Sequence, residues 1–273
     1  CLARLIAARP RRVVIGIDDR ATVADELRRA EIEVTTGVSE QECLEVNEIY
    51  FKYARTRLPF VTVKFAQSLD GRIATGAGNS QWISGPASLR LAHQLRREHD
   101  AIMVGIGTVL ADDPKLTVRL VNGRDPLRIV VDSRLRIPLT ARVIAGDAAS
   151  HTLVATTDEA DPARIGDLEK LGARVLVVPS VAGGAGLRLT DLLAELGRAR
   201  VASVLVEGGA GIITSLLGAR HVDRLVIAIA PKIIGRGVEA VGDLGVVTLS
   251  DALSFSSFKT RRLGPDIIFD GRL

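Results

Sequence analysis

Residues 64–119 read KFAQSLDGRIATGAGNSQWISGPASLRLAHQLRREHDAIMVGIGTVLADDPKLTVR. A strand-like run carrying Lys64 enters a turn rich in Gly and Ser. The chain's single Trp, Trp82, follows, and then a helix bearing Arg90, Arg96 and Arg97. Leu89, Ala92 and Leu95 mark the inward side of that helix. After a glycine-punctuated helix start at GIGTV come the paired carboxylates Asp112 and Asp113, and then Arg119. A solvated helix face accounts for the arginines alone, and a turn for Asp-Asp-Pro alone. Neither accounts for so dense a succession of carboxylate, Lys and Arg.

Outward from this stretch, strands and helices alternate. Strands are expected at Phe60–Phe65, Ala101–Val104, Leu127–Val131, Thr152–Ala155, Arg174–Val178, Val201–Val206 and Arg224–Ala230. Helices are expected at Ala87–Glu98, Pro162–Leu171, Thr190–Arg198 and Gly211–Ala219. Near-continuous Val/Ile/Leu runs such as VASVLV and RLVIAI imply strands buried on both faces by helices. Residues 254–269 alternate around Gly264-Pro265, so they read as an antiparallel hairpin at the sheet edge. The expected fold class is α/β, a mixed sheet flanked by helices. The Gly-rich stretch Val181–Gly186 reads as a surface loop.

Residues 1–58 differ from the rest. They read as a strand over 11–17, a helix over Thr22–Ala30, a strand over Ile32–Thr36 and one long amphipathic helix over Ser39–Arg57. Ser39 would cap that helix, and Pro59 would end it. A domain boundary is placed there.

Composition narrows the function classes. The 273 residues suffice for a substantial core, and 47% hydrophobic with 25% charged content is that of an ordinary globular protein. Aromatics are only 3%, which leaves few platforms for stacking single-stranded nucleic acid. The net charge of +4 is interspersed rather than gathered on one face, which suits small anions better than DNA or RNA. Two cysteines, Cys1 and Cys43, and four scattered histidines form neither a disulfide framework nor a metal-ligand spacing. No apolar run has the length of a membrane span and no signal peptide opens the chain, so a cytoplasmic location is expected.

The second informative stretch is VLVEGGAGIITSLL, residues 204–217. A buried strand ends at Val206, Glu207 follows, and glycines turn the chain into a helix. Glycines let backbone N–H groups approach a phosphate, and the helix N-terminus favours negative charge. The alternative is a tight turn with no ligand, and the G-x-G-x-x-G spacing of a Rossmann fingerprint is absent. The loop around Trp82 admits two readings as well: a flap closing over a cofactor, or a surface loop anchored by one indole. Taken together, the two stretches point to a nucleotide-cofactor enzyme acting on a phosphorylated substrate.

The series SLDGRIA, SQWISG, LADDPKLTVR, VDSR, VEGGA and APKIIG, in this order, closely resembles the reductase half of the bifunctional riboflavin biosynthesis deaminase–reductases of RibD type. The resemblance covers residues 59–273. It implies a dihydrofolate-reductase-like fold, a homodimer, and NADPH-dependent reduction of 5-amino-6-(5-phosphoribosylamino)uracil to the ribitylamino product. It implies Lys64, Asp112 and Glu207 as catalytic residues, with Lys64 beside the reacting sugar. Ser80, Arg96, Leu116, Arg119 and Glu207 would meet the phosphorylated ribosylamino-pyrimidine. Ala66, Trp82, Thr108, Asp112 and Ser133 would meet NADPH, together with Gly209, Ala210, Gly211, Ile212, Ile213, Thr214 and Ser215. Two guanidiniums, Arg96 and Arg119, suit a phosphate dianion. Arg134 is the candidate partner of a ribose 2′-phosphate. Asp112 is open to two roles, holding the carboxamide or assisting protonation. No partner of nucleic-acid or membrane type is implied.

Residues 1–58 resemble only the tail of the family's deaminase domain, a small cytidine-deaminase-like remnant. Cys1 would stand at the second cysteine of its zinc pair, without the H-x-E motif and first cysteine that such a zinc site needs. No metal and no deaminase activity are therefore expected. The segment after Asp19 is also shorter than the family pattern and lacks its glycines. Two other functions remain open at this point: a reductase of the same fold on another pyrimidine or pterin, and a non-catalytic nucleotide-binding partner of a deaminase.

Overall fold

The structure, a computed structural model, describes residues 2–18, 22–181 and 186–273. Cys1 and most of the expected 181–186 loop lie outside the described residues. The chain divides into two compact units, Cys1–Thr56 and Arg57–Leu273, just ahead of the boundary expected at Pro59.

The first unit contains α1 (Leu2–Ala8), β1 (Arg12–Ile15), α2 (Thr22–Arg29), β2 (Glu33–Thr36), α3 (Glu40–Val46) and α4 (Glu48–Thr56). Strands β1 and β2 pair in parallel, and α2 buries Ala24 and Leu27. The single helix expected over Ser39–Arg57 is two helices broken at Asn47. The Asn47 side-chain amide donates to the Cys43 carbonyl at 3.0 Å, so it competes with the main chain for a helix acceptor. Ser39 makes no side-chain cap and sits in the left-handed region at φ 53°.

The second unit contains β3 (Phe60–Ser68), β4 (Arg72–Thr75), α5 (Pro86–Glu98), β5 (Ala101–Gly105), α6 (Ile106–Asp112), β6 (Leu127–Val131) and β7 (Thr152–Thr157). It continues with α7 (Pro162–Lys170), β8 (Arg174–Val178), α8 (Leu189–Arg198), β9 (Ser203–Val206), α9 (Ala210–Gly218), β10 (Arg224–Ala230), β11 (Gly237–Glu239), β12 (Ser257–Leu263) and β13 (Asp266–Arg272). Nine strands form one sheet in the order β12-β13-β10-β3-β9-β5-β6-β7-β8. From β10 to β8 all neighbours are parallel, while β13 and β12 add an antiparallel edge. This is the mixed α/β sheet, with its hairpin edge, that the residue pattern predicts. The short pair β4–β11 was not anticipated.

Strand alternation sorts the sheet into two faces. Val61, Val63, Met103, Val204 and Val206 share a core with Leu192, Leu196 of α8 and Ile213, Leu216 of α9. On the opposite face, Ile102, Val104, Val130 and Val154 join Val109 of α6 and Leu168 of α7. Leu205, Val226 and Ile268 on that same face are covered by Leu91 and Leu95 of α5. The result is a sheet between two helical layers.

Helix α5 is held at both ends. Gly85, its N-cap, has no side chain to cap with, and Asp266 of β13 takes over: its Oδ2 accepts from the Gly85 N–H at 2.8 Å and from the Ser88 hydroxyl at 2.5 Å. A buried carboxylate there also favours the helix dipole. At the other end, His99 bridges the Leu95 carbonyl (2.7 Å) and the Thr62 hydroxyl of β3 (2.8 Å). Asp266→Ala leaves an amide and a hydroxyl unpaired in the interior, so we expect a loss of about 1–2 kcal/mol in urea unfolding. An unchanged midpoint would show that α5 does not depend on this cap.

Candidate functional site

The order of strands decides where chemistry gathers. From β3 the chain moves past β9 to β5, whereas from β9 it moves back past β3 to β10. Connections diverge at the β3–β9 pair, and ligands of open α/β sheets bind at the carboxyl ends of strands at such a point. Val63 pairs with Val206 in register, so the next residues, Lys64 and Glu207, stand side by side on the face covered by α5. Glu207 is fixed there by its N–H bond to the Met103 carbonyl at 3.0 Å.

Arg96 of α5 meets Glu207 with both edges of its fork, Nε to Oε1 at 2.7 Å and Nη2 to Oε2 at 2.6 Å. Each side chain is only 12% exposed. Burial alone would raise the Glu207 carboxyl, but the Arg96 charge, its hydrogen bonds and Lys64 outweigh it, and Glu207 titrates below its ordinary range. Burial likewise opposes the Arg96 charge and is overcome by Glu207. Lys64, 8% exposed, is different. Burial lowers its pKa, Glu207 opposes that, and Arg96 reinforces it; the net direction is down. Among the described residues the Lys64 ammonium has neither a hydrogen bond nor an ion pair. Asp266 adds a second, weaker carboxylate influence, yet the lysine remains acidified and unpaired.

Arg96 also donates from Nη1 to the Thr117 carbonyl at 2.9 Å, and this begins the link to the 114–126 segment. That segment has no helix or strand. Leu116 is buried and left-handed at φ 53°, so only its main chain is available to a ligand. Arg119 is exposed; its Nη1 donates to the Thr117 hydroxyl at 2.9 Å, and among the described residues it has no ion pair. Burial, then Arg96 and Arg142, lower its pKa, which places Arg142 among its cationic neighbours.

On the other side of Glu207, Gly208 and Gly209 turn the chain at φ 94° and 81° into α9. A Cβ at Gly209 would sit 3.3 Å from the Thr108 hydroxyl of α6, and the positive φ favours glycine there. No side chain caps α9. The Ile213 N–H is already bonded to the Gly209 carbonyl, which leaves the N–H groups of Gly209, Ala210, Gly211 and Ile212 as the open donors. The stretch 209–215 therefore narrows. The side chains of Ile212 and Ile213 belong to the core, the Thr214 hydroxyl bonds the Ala210 carbonyl at 2.7 Å, and Ser215 lies in the helix's second turn.

The Trp82 loop borders the same region. Ser80 donates to Asp112 Oδ1 at 3.3 Å, which joins this loop to the end of α6. Trp82 is 62% exposed, and its carbonyl accepts from Lys232 Nζ at 2.7 Å. The Lys232 segment is held by Asp70, which accepts from the Ser68 hydroxyl and from the Ile234 and Gly235 N–H groups. Those bonds, the hydroxyl first, lower Asp70 to about 2. Ala66 follows Lys64 on the same face of β3. Ser133 lies just beyond β6, its carbonyl accepting from Thr157 at 2.9 Å, with Arg134 exposed beside it.

Several of the residues singled out in the sequence thus meet: Lys64 with Glu207 and Arg96, Thr108 with the glycine turn, Ser80 with Asp112. Arg96 is engaged by Glu207 and by the Thr117 carbonyl, whereas Arg119 bonds only the Thr117 hydroxyl through its side chain. His93 was missed. It lies one turn before Arg96 on the same helix face, a spacing visible in the sequence. It is buried, and burial followed by the Arg96 and Arg119 charges lowers it to about 4. Asp266 and Lys232 were missed too, because their partners lie far away in sequence. Among the described residues no group of three metal-ligating side chains comes together. Among the described residues no helix is long and apolar enough to cross a membrane.

Comparison with known proteins places the chain in a family. Residues 59–269 match the RibD C-terminal domain. A riboflavin biosynthesis protein RibD from Aquifex aeolicus is 38% identical over 274 residues, covering 98% of this chain and 74% of its own length. A 2,5-diamino-6-ribosylamino-4(3H)-pyrimidinone 5′-phosphate reductase from Methanothermobacter thermautotrophicus is 41% identical over 218 residues, covering 78% of this chain and 97% of itself. In structure, RibD from Acinetobacter baumannii superposes with a TM-score of 0.84 at 27% identity, over 100% of this chain and 75% of that one. The chain therefore belongs to the RibD family, and residues 59–269 are its RibD C-terminal domain.

Proposed function

We propose that the chain is the riboflavin-pathway reductase that converts 5-amino-6-(5-phosphoribosylamino)uracil to 5-amino-6-(5-phosphoribitylamino)uracil. The observation that carries this reading is an acidified, unpaired lysine beside a buried Arg–Glu pair at the switch point of the sheet. The cofactor in this reading is NADPH. Its fit rests on the uncapped N-terminus of α9 and the Gly208-Gly209 turn, which suit a pyrophosphate. Thr108, Trp82, Asp112, Ser133 and Ala66 would complete its site, with Arg134 near the 2′-phosphate. When bound, the nicotinamide supplies the hydride that saturates C1′ of the ring-opened sugar.

The protein's own part is electrostatic. Lys64, being acidified, would give a proton to the ring oxygen as the C1′–O4′ bond breaks, or polarise the resulting imine and protonate its nitrogen as hydride reaches C1′. Glu207, held ionised by Arg96, offers acceptor oxygens to the sugar hydroxyls. Arg119, with Arg142 nearby, takes the phosphate. Ser80 and the Leu116 main chain border the substrate, and Asp112 borders both ligands. A homodimer belongs to the same reading, supported by the exposed apolar run of Val246, Val247 and Leu249.

Lys64→Met and Glu207→Gln separate chemistry from stability. Both should cut kcat/KM by about 10²-fold or more. Lys64→Met removes a buried, unpaired ammonium, so unfolding stability should hold or rise. Glu207→Gln leaves Arg96 without its counter-charge and should lose about 3 kcal/mol. The assay, loss of reduced-cofactor absorbance, presents both the uracil and the diaminopyrimidinone named for the archaeal relative. Turnover of neither would overturn the proposal.

The pH dependence follows from the sign of the Lys64 shift. Its pKa is lowered from 10.5, so the ammonium form disappears at lower pH than in an ordinary lysine. We expect kcat/KM to fall on an alkaline limb with its midpoint below 10.5. A profile flat to that pH would remove Lys64 from the chemistry.

A further inference from the structure

The segment that carries Arg119 has no regular secondary structure, yet four successive residues are each fixed through one main-chain atom. Arg96 Nη1 donates to the Thr117 carbonyl (2.9 Å), and Asp125 Oδ1 accepts from the Val118 N–H (2.7 Å). His93 Nδ1 accepts from the Arg119 N–H (2.9 Å), and Arg90 Nη1 donates to the Leu120 carbonyl (3.0 Å). Three of these four side chains come from α5 at positions 90, 93 and 96, one helical turn apart. The segment runs along them in the opposite sense, 120, 119, 117. Backbone groups that neither helix nor strand satisfies are here satisfied by one helix face.

We propose that His93 is a positioning residue for the anion-binding Arg119, acting as a neutral hydrogen-bond acceptor within this three-rung clamp. The chemistry of the rung requires it. A backbone N–H only donates, so Nδ1 must carry a lone pair, and the ring proton sits on Nε2. A protonated imidazole has no acceptor and would break the rung. The buried site beside Arg96 and Arg119 favours the neutral ring, in keeping with its lowered pKa. Arg90 and Arg96 hold carbonyls and so fix the segment without restricting the direction of the Arg119 N–H. His93 is the rung that sets the Arg119 Cα itself. The ligand class is a phosphate monoester, and the inference rests on the reading of Arg119 given above.

The test compares the parent chain with His93→Leu, which removes the acceptor, and His93→Asn, whose amide oxygen takes the place of Nδ1. The readouts are KM for the phosphorylated pyrimidine, kcat, the cofactor KM, thermal midpoint, and calorimetric binding of inorganic phosphate. His93→Leu should raise the substrate KM and weaken phosphate binding about tenfold, the size of one orphaned, part-buried N–H. It should leave kcat and the cofactor KM within about threefold, since neither depends on the orphaned N–H. His93→Asn should stay close to the parent in every readout. Equal phosphate binding in all three chains would overturn the inference. So would a His93→Leu chain in which kcat, cofactor KM and thermal midpoint deteriorate along with the substrate KM. A parent that turns over neither pyrimidine would remove the reductase reading, while phosphate calorimetry would still decide the role of His93.

Discussion

A guanidinium and a carboxylate buried side by side at the carboxyl edge of the sheet govern what the rest of the site can be. Neither Arg96 nor Glu207 could be buried in charged form alone, because desolvating an isolated ion costs several kcal/mol. Paired through two short bonds they neutralise each other and leave Lys64 without a bonded counter-ion. The pair also locks α5 to the end of β9, so that the sheet, the helix and the 114–126 segment share one reference point. Asp266 and His99 hold the two ends of α5 in keeping with that geometry. The helix is thereby more than a cover for the core. It carries the residue that balances Glu207 and the residues that shape the Arg119 segment.

The two regions assigned to ligands in the proposed function are built on opposite principles. Around α9 the donors are main-chain N–H groups, left open because Gly209 has no side chain to cap them and because the positive φ angles at 208 and 209 suit glycine. Around Arg119 the donors are side chains, and the main chain is taken up by α5. A backbone cradle suits a diphosphate, whose many oxygens tolerate small displacements. A single guanidinium suits a terminal phosphate, provided its Cα is fixed.

Much of this was legible in the residues. Buried Val/Ile/Leu runs marked the parallel strands, and Glu207 followed by glycines marked the turn from β9 into α9. The break at Asn47 was not legible, because the apolar pattern from Leu44 to Phe51 continues through it while the interruption comes from one amide. The pairing of Arg96 with Glu207 was hidden as well. The sequence separates them widely, and only the β3–β9 register and the seating of α5 bring them together. His93 escaped notice for another reason. A lone histidine on an apolar helix face looks like core, and its role depends on a backbone N–H that no residue type announces. The family resemblance supplied names for positions along 209–215, while helix geometry limits the open donors to its first residues.

The central claim is that this crevice delivers hydride to C1′ of a phosphorylated sugar beside Lys64. The most direct measurement uses reduced cofactor dideuterated at C4 of the nicotinamide together with 5-amino-6-(5-phosphoribosylamino)uracil. The product is then read by mass spectrometry and NMR. The account predicts a single deuterium at C1′ of the ribityl chain. Oxidation of the cofactor with no label at C1′, or no oxidation at all, would contradict it.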